Sequence, residues 1–225
     1  MRRNILIMLI GLAGAGLGGC AHGPITGSIS PDPFRMAATS APATVPAMPA
    51  NVEVAPPPGY IGFCIRQPDQ CKTPDGAATQ LTLTAANWKT LDDVNHATND
   101  AIWQEDDQRH YGRAEYWTIP TDGYGDCEDI ALAKRKKLID MGMPLPSLRI
   151  AVVITAKRES HAVLTVTTDR GDYVLDSLRD EVLPWNQTGY TWIERQDPSR
   201  PSGWVSLTSP QMLASLGLTM TSQVN

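Results

Sequence analysis

An α+β fold, with helices packed on an antiparallel sheet, is predicted by the order in which the hydrophobic period changes along the chain. Helical spacing runs from Trp88 to Ile102 and again from Ile130 to Leu138; after Pro144 the pattern shifts to short β-branched and alternating runs. Helices first and strands afterwards segregate the two kinds of element. A further observation places a site in this frame. Cys127 stands alone among acids in Gly125-Asp126-Cys127-Glu128-Asp129 at the predicted start of the second helix, with His161 opening one strand and Asp176 closing the next.

Residues 1–19 open with Arg2 and Arg3, run apolar from Ile5 to Leu17 and end in Gly18 and Gly19 before Cys20. This is the pattern of a secretory signal, too short to span a bilayer core of roughly 30 Å as a mature helix. Leu17-Gly18-Gly19-Cys20 also resembles a bacterial lipobox, which would make Cys20 the lipidated first residue; the alternative is ordinary cleavage around it. Residues 20–58 are rich in Ala, Pro, Ser and Thr without apolar periodicity and are predicted to form a disordered tether. The periodic part, 59–218, has the length of one domain, and 219–225 are a tail. Removing 1–19 leaves 17 basic and 24 acidic side chains, a net charge of −7. Nucleic acid, which needs a basic patch, is excluded as a partner.

Within the domain, Cys64 and Cys71 flank a turn-forming segment with Pro68 and Asp69. In an oxidising compartment they are expected to pair as a disulfide, a metal pair being the alternative. Thr84 is placed to cap a helix running to about Asp106. Gly112, Pro120, Gly123 and Gly125 make Tyr111 to Gly125 a loop that delivers the chain to the Cys127 helix. Asp126 and Asp129 are spaced as an acidic capping box, and Gly142 and Pro144 end the helix. Lys134-Arg135-Lys136-Lys137 falls where cations complement the helix C-terminus. Strands are predicted at Leu148–Thr155, His161–Thr167 and Tyr173–Asp176, with a turn through Gly171.

Cysteine, histidine and aspartate in this layout suit a nucleophile, its base and an orienting acid. A helix N-terminus favours the thiolate of Cys127, and backbone N–H groups there can stabilise an oxyanion. Among the histidines, His22 falls in the tether and His96 and His110 in or near the long helix; His161 shares a strand face with Val163 and Thr165 and is expected to meet the sulfur if that strand crosses the Cys127 helix. A hairpin would bring Asp176 beside it. Asp126, Glu128 and Asp129 oppose a thiolate by charge. Either these acids cap the helix and reach solvent, or carboxylates and backbone carbonyls of the Gly-rich turn Asp122-Gly123-Tyr124-Gly125-Asp126 hold a hard cation such as Ca²⁺.

Tyr111-Gly112, Glu115-Tyr116-Trp117, Gly125-Asp126-Cys127-Glu128-Asp129, Leu148-Arg149, His161-Ala162-Val163-Leu164 and Val174-Leu175-Asp176, with Val94-Asn95 and the Cys64/Cys71 pair, together resemble the bacterial transglutaminase-like cysteine proteinases. The resemblance implies a papain-like, transglutaminase-type core with Cys127 as nucleophile at a helix N-terminus, His161 as base and Asp176 as orienting acid. Members of the LapG type are periplasmic, calcium-dependent proteases that cut biofilm adhesins under control of an inner-membrane receptor for cyclic-di-GMP. By position their calcium ligands correspond to Asp126 and Glu128. The expected function is therefore an exported cysteine peptidase acting on an envelope or surface protein, held to a membrane if Cys20 is lipidated. Acyl transfer on the same three residues and a non-catalytic envelope scaffold are the alternatives.

Overall fold

Apolar and β-branched runs within residues 148–176, buried on both faces, build the centre of a seven-stranded antiparallel sheet, and helices cover one of its faces. The computed structural model describes residues 41–72, 76–197, 200, 203–209 and 211–212. The predicted signal segment, Cys20, the first half of the predicted tether and the tail lie outside the described residues. In chain order come β1 (Glu53–Val54), α1 (Pro58–Arg66), α2 (Ala85–Ala101), β2 (Trp103–Gln104), α3 (Asp107–His110), β3 (Tyr124–Gly125) and α4 (Cys127–Asp140). They are followed by β4 (Leu148–Ile154), β5 (Ser160–Thr168), β6 (Gly171–Asp176), β7 (Arg179–Pro184), β8 (Thr191–Gln196) and β9 (Trp204–Ser206). The sheet order is β1-β9-β8-β4-β5-β6-β7, and β2 and β3 form a separate parallel pair.

Alternation along the strands divides the core in two. Ile150, Leu164, Val166, Tyr173 and Leu175 meet Leu91 and Val94 of α2, Leu132 and Leu138 of α4, and Tyr60 and Phe63 of α1. Ala151, Val153, Val163 and Val174 face the other way, against Met48, Trp192 and Leu207. Cys64 and Cys71 are joined by a disulfide that ties α1 to the turn after it.

Several expectations are corrected. Residues 41–57 are not a tether but a strap laid on the sheet. Val45 N–H donates to Arg170 O at 2.8 Å, Met48 N–H to Asp172 Oδ2 at 2.6 Å and Asn51 N–H to Ser206 O at 3.0 Å, while β1 pairs with β9. The strap is held through its backbone and one buried side chain, Met48, so it needs no apolar period. The helix capped by Thr84 stops at Ala101, because Trp103 and Gln104 leave it to pair with Tyr124 and Gly125. Lys134 and Arg135 are neither a surface patch nor a helix-end pair. Both are buried mid-helix, Lys134 donating to Asn95 Oδ1 at 2.7 Å and Arg135 to Gln196 Oε1 and Gln70 O.

Candidate active site

The loop before α4 is locked down at Gly125. A Cβ there would lie 2.8 Å from both Pro120 Cγ and Asp129 Cβ, so the close approach of loop to helix requires glycine. Asp126 then takes the N-cap position, and its carbonyl accepts the first helical bond from Ile130 N–H at 3.0 Å. Its side chain makes no capping bond, and Asp129 does not complete a capping box: Asp129 Oδ1 instead accepts from Thr118 N–H at 2.6 Å. The acids of this turn are aimed at the loop and at one another.

Cys127, the first residue of α4, is half-buried and the one free cysteine among the described residues. Its sulfur meets β5 at the backbone. Ala162 N–H donates to Sγ at 3.3 Å from a stretch of β5 that lies beyond the β6 ladder, which begins at Leu164 and Leu175. The helix packs on the Leu164 and Val166 face of β5, whereas His161 shares the opposite face with Val163. The thiol thus reaches the strand at its edge rather than across the His161 face. Sγ donates to Glu128 Oε2 at 3.1 Å. Burial first, then the Glu128 carboxylate, push the thiol well above its ordinary value.

His161 and Asp176, both buried, are hydrogen-bonded through Nε2 and Oδ1 at 2.7 Å. This leaves Nδ1 as the ring nitrogen free to act as a base. Asp176 is held on every side. Leu178 N–H donates to Oδ1 at 3.0 Å and Tyr190 Oη to Oδ2 at 2.6 Å, while Asp176 N–H donates to Asn95 Oδ1 at 3.1 Å and Asn99 Nδ2 to Asp176 O at 3.1 Å. Burial alone would raise its pKa; the bonds from His161, Tyr190 and Leu178 outweigh it and hold the carboxyl below the usual range. Tyr190 carries no sequence signal of its own, because it follows a Gly-containing turn; Asn95 belongs to the Val94-Asn95 motif, but its contact with Asp176 is not readable from the helix that carries it.

Asp107, Asp126 and Glu128 bring carboxylate oxygens within 4.8 Å of one another. Asp107 is the member hidden from sequence reading, since Glu105-Asp106-Asp107 looks like the polar end of the long helix. In fact Asp107 opens α3, is buried, and accepts from Tyr116 N–H through Oδ2. Its Oδ1 and Asp126 Oδ1 are buried and unpartnered. Desolvation, reinforced by the neighbouring carboxylates, pushes Asp126 and Asp129 to about 8 and raises Asp107; burial raises Glu128 as well. Orphaned buried oxygens converging with no nitrogen or sulfur donor fit a hard divalent cation.

A helix that opens on a free cysteine, packed on an antiparallel sheet beside a strand-borne His–Asp pair, is the arrangement of a transglutaminase-like cysteine peptidase. The model of the bacterial transglutaminase-like cysteine proteinases matches residues 50–212, most of the chain, and the chain belongs to that family. No curated protein matches it. Among solved structures it is similar to calcium-bound Legionella pneumophila LapG, at 26% identity and a TM-score of 0.46 over 53% of this chain and 69% of that one. Two further structures of Legionella pneumophila LapG, one of them EGTA-treated, match at 28% identity and a TM-score of 0.43 over 48% of this chain and 63% and 62% of theirs.

Proposed function

We propose that the protein is an exported peptidase in which Cys127, His161 and Asp176 hydrolyse a peptide bond of a cell-envelope or surface protein. The observation that carries this reading is the 2.7 Å bond from His161 Nε2 to Asp176 Oδ1 beside a cysteine that opens a helix. Asp176 holds the imidazole so that Nδ1 takes the Cys127 proton as sulfur attacks the carbonyl carbon. The same proton passes to the leaving amine, freeing a new N-terminus and leaving a thioester. Water, deprotonated by His161, then releases the acid and restores the thiol. Backbone N–H groups at the start of α4 are the nearest donors for the intermediate's oxyanion.

Asp107, Asp126 and Glu128 are the residues that would hold Ca²⁺. When bound, the ion supplies positive charge that keeps these buried carboxylates ionised beside the thiol. No described helix is long and apolar enough to cross a membrane. A lipid on Cys20 is the attachment that Leu17-Gly18-Gly19-Cys20 suggests. A large surface adhesin, under control of a membrane receptor, is the substrate to which the family points. The test is to incubate the protein and a Cys127→Ala variant with envelope proteins and calcium and to sequence new N-termini. Cleavage by the parent and none by the variant is expected. Cleavage by both would refute the reading, and incorporation of a labelled amine without new N-termini would redirect it to acyl transfer.

A further inference from the structure

Asp176 makes its two carboxylate oxygens unequal. Oδ1 takes both His161 Nε2 and the Leu178 N–H, whereas among the described residues Oδ2 receives one bond, the 2.6 Å contact from Tyr190 Oη. A carboxylate turns readily about its last torsion, and a bond to the other oxygen adds to the Leu178 N–H in keeping Oδ1 toward the imidazole. We propose that Tyr190 is a positioning residue for the reaction, its hydroxyl anchoring Asp176 Oδ2 so that Oδ1 keeps His161 in the orientation that presents Nδ1 to Cys127. The inference rests on the reading of Cys127, His161 and Asp176 given above.

The segment that carries Tyr190 is constructed around this contact. Its hydroxyl reaches back fourteen positions in the chain. Thr188 is buried and donates to Trp185 O at 3.0 Å, and Gly189 adopts a positive φ of 74°, turning the chain so that Tyr190 faces the site. Arg179 Nη2 donates to Thr188 O at 3.3 Å, and its guanidinium lies 5.8 Å from the centre of the Tyr190 ring. The ring meets His161 edge to face, 5.9 Å between centres. One aromatic side chain thus touches both the acid and the base. The titratable and charged groups around Asp176 are His161 from β5, Lys134 from α4, and Arg179 and Asp180 from β7. None of the last three bonds Oδ2. The hydroxyl's own pKa is pushed up to about 12, by burial first and then by the Asp176 carboxylate, so it stays a donor throughout the working range.

Tyr190→Phe removes the hydroxyl and keeps the ring, whereas Tyr190→Leu removes both. For Tyr190→Phe we expect an unchanged fold by circular dichroism and kcat lowered by roughly tenfold or more, the scale on which groups behind a reacting side chain act. KM should change by less than about twofold, because Tyr190 touches the acid and the base rather than the bound peptide. Kinetics are read on the cleavage junction found with the parent enzyme. The second measurement is the ¹H NMR resonance of the His161 Nε2 proton, which needs no substrate; in Tyr190→Phe it should move from its parent position. Parent-like kcat together with a parent-like resonance would overturn the inference, as would a parent-like Tyr190→Phe beside an inactive Tyr190→Leu, which would assign the role to ring packing. Cleavage that survives Cys127→Ala would instead defeat the peptidase reading while leaving the resonance as a separate test of Tyr190.

Discussion

At Cys127 opposing influences meet at the sulfur: the Ala162 N–H stabilises negative charge, and Glu128 with Asp126 opposes it. Positive charge among Asp107, Asp126 and Glu128 would tip this balance, and Asp107 tests it without touching the reacting chain segment. Calcium at about a hundred times its dissociation constant stabilises a protein by about 2.7 kcal/mol; Asp107→Asn is expected to lose most of that gain in a melting curve and to behave with calcium as the parent does with EGTA. Lys134 supplies a pH prediction. Burial holds its ammonium at about 7 against an ordinary 10.5. Between those values the unfolded chain binds the extra proton, so stability from this group rises as pH rises from 7 toward 10.5 and is lost as pH falls. Lys134→Met should flatten that part of the stability profile relative to the parent, as read by urea denaturation at several pH values. Cys127, His161 and Asp176 are legible in the sequence because each sits at an element boundary in a motif. Asp107, Tyr190 and the buried Lys134–Asn95 pair are not, since their roles depend on partners far along the chain.

Single elements carry the site by abutting closely. The start of α4 touches the preceding loop at Gly125, and Gly125→Ala should force Pro120 or Asp129 aside, costing about 1–3 kcal/mol as overpacking does. A lower melting temperature with reduced cleavage is the expected outcome; parent-like values would show that the loop yields. The Cys64–Cys71 disulfide closes a short loop beside Tyr60 and Phe63, and replacing both cysteines by serine is expected to cost about 2–3 kcal/mol in chemical denaturation. The central strands β4 to β6 are readable as near-continuous apolar, β-branched runs because both their faces meet apolar cores. The outer strands are harder. β7 is an edge strand with exposed Arg179, Asp180 and Glu181, and β8 buries Arg195 and Gln196, so neither shows a clean hydrophobic period.

Over the whole molecule, the sheet is covered on one face by helices and on the other by the strap, Trp192 and Leu207. A chain that starts at Pro57 would uncover Met48's contacts and the β9 edge. It is expected to melt lower and to aggregate on heating, as read by light scattering. The strap escapes sequence reading because its composition is that of a linker while its hydrogen bonds are those of a strand. Its attachment also sets a length. If Cys20 is lipidated, about twenty residues separate the anchor from the point where the strap first grips the sheet, near Ala41, instead of the longer segment ending at Pro58. Twenty residues span at most about 70 Å when fully extended, roughly half of what the longer segment would allow. A peptidase held on so short a lead would meet only targets that pass close to its own membrane.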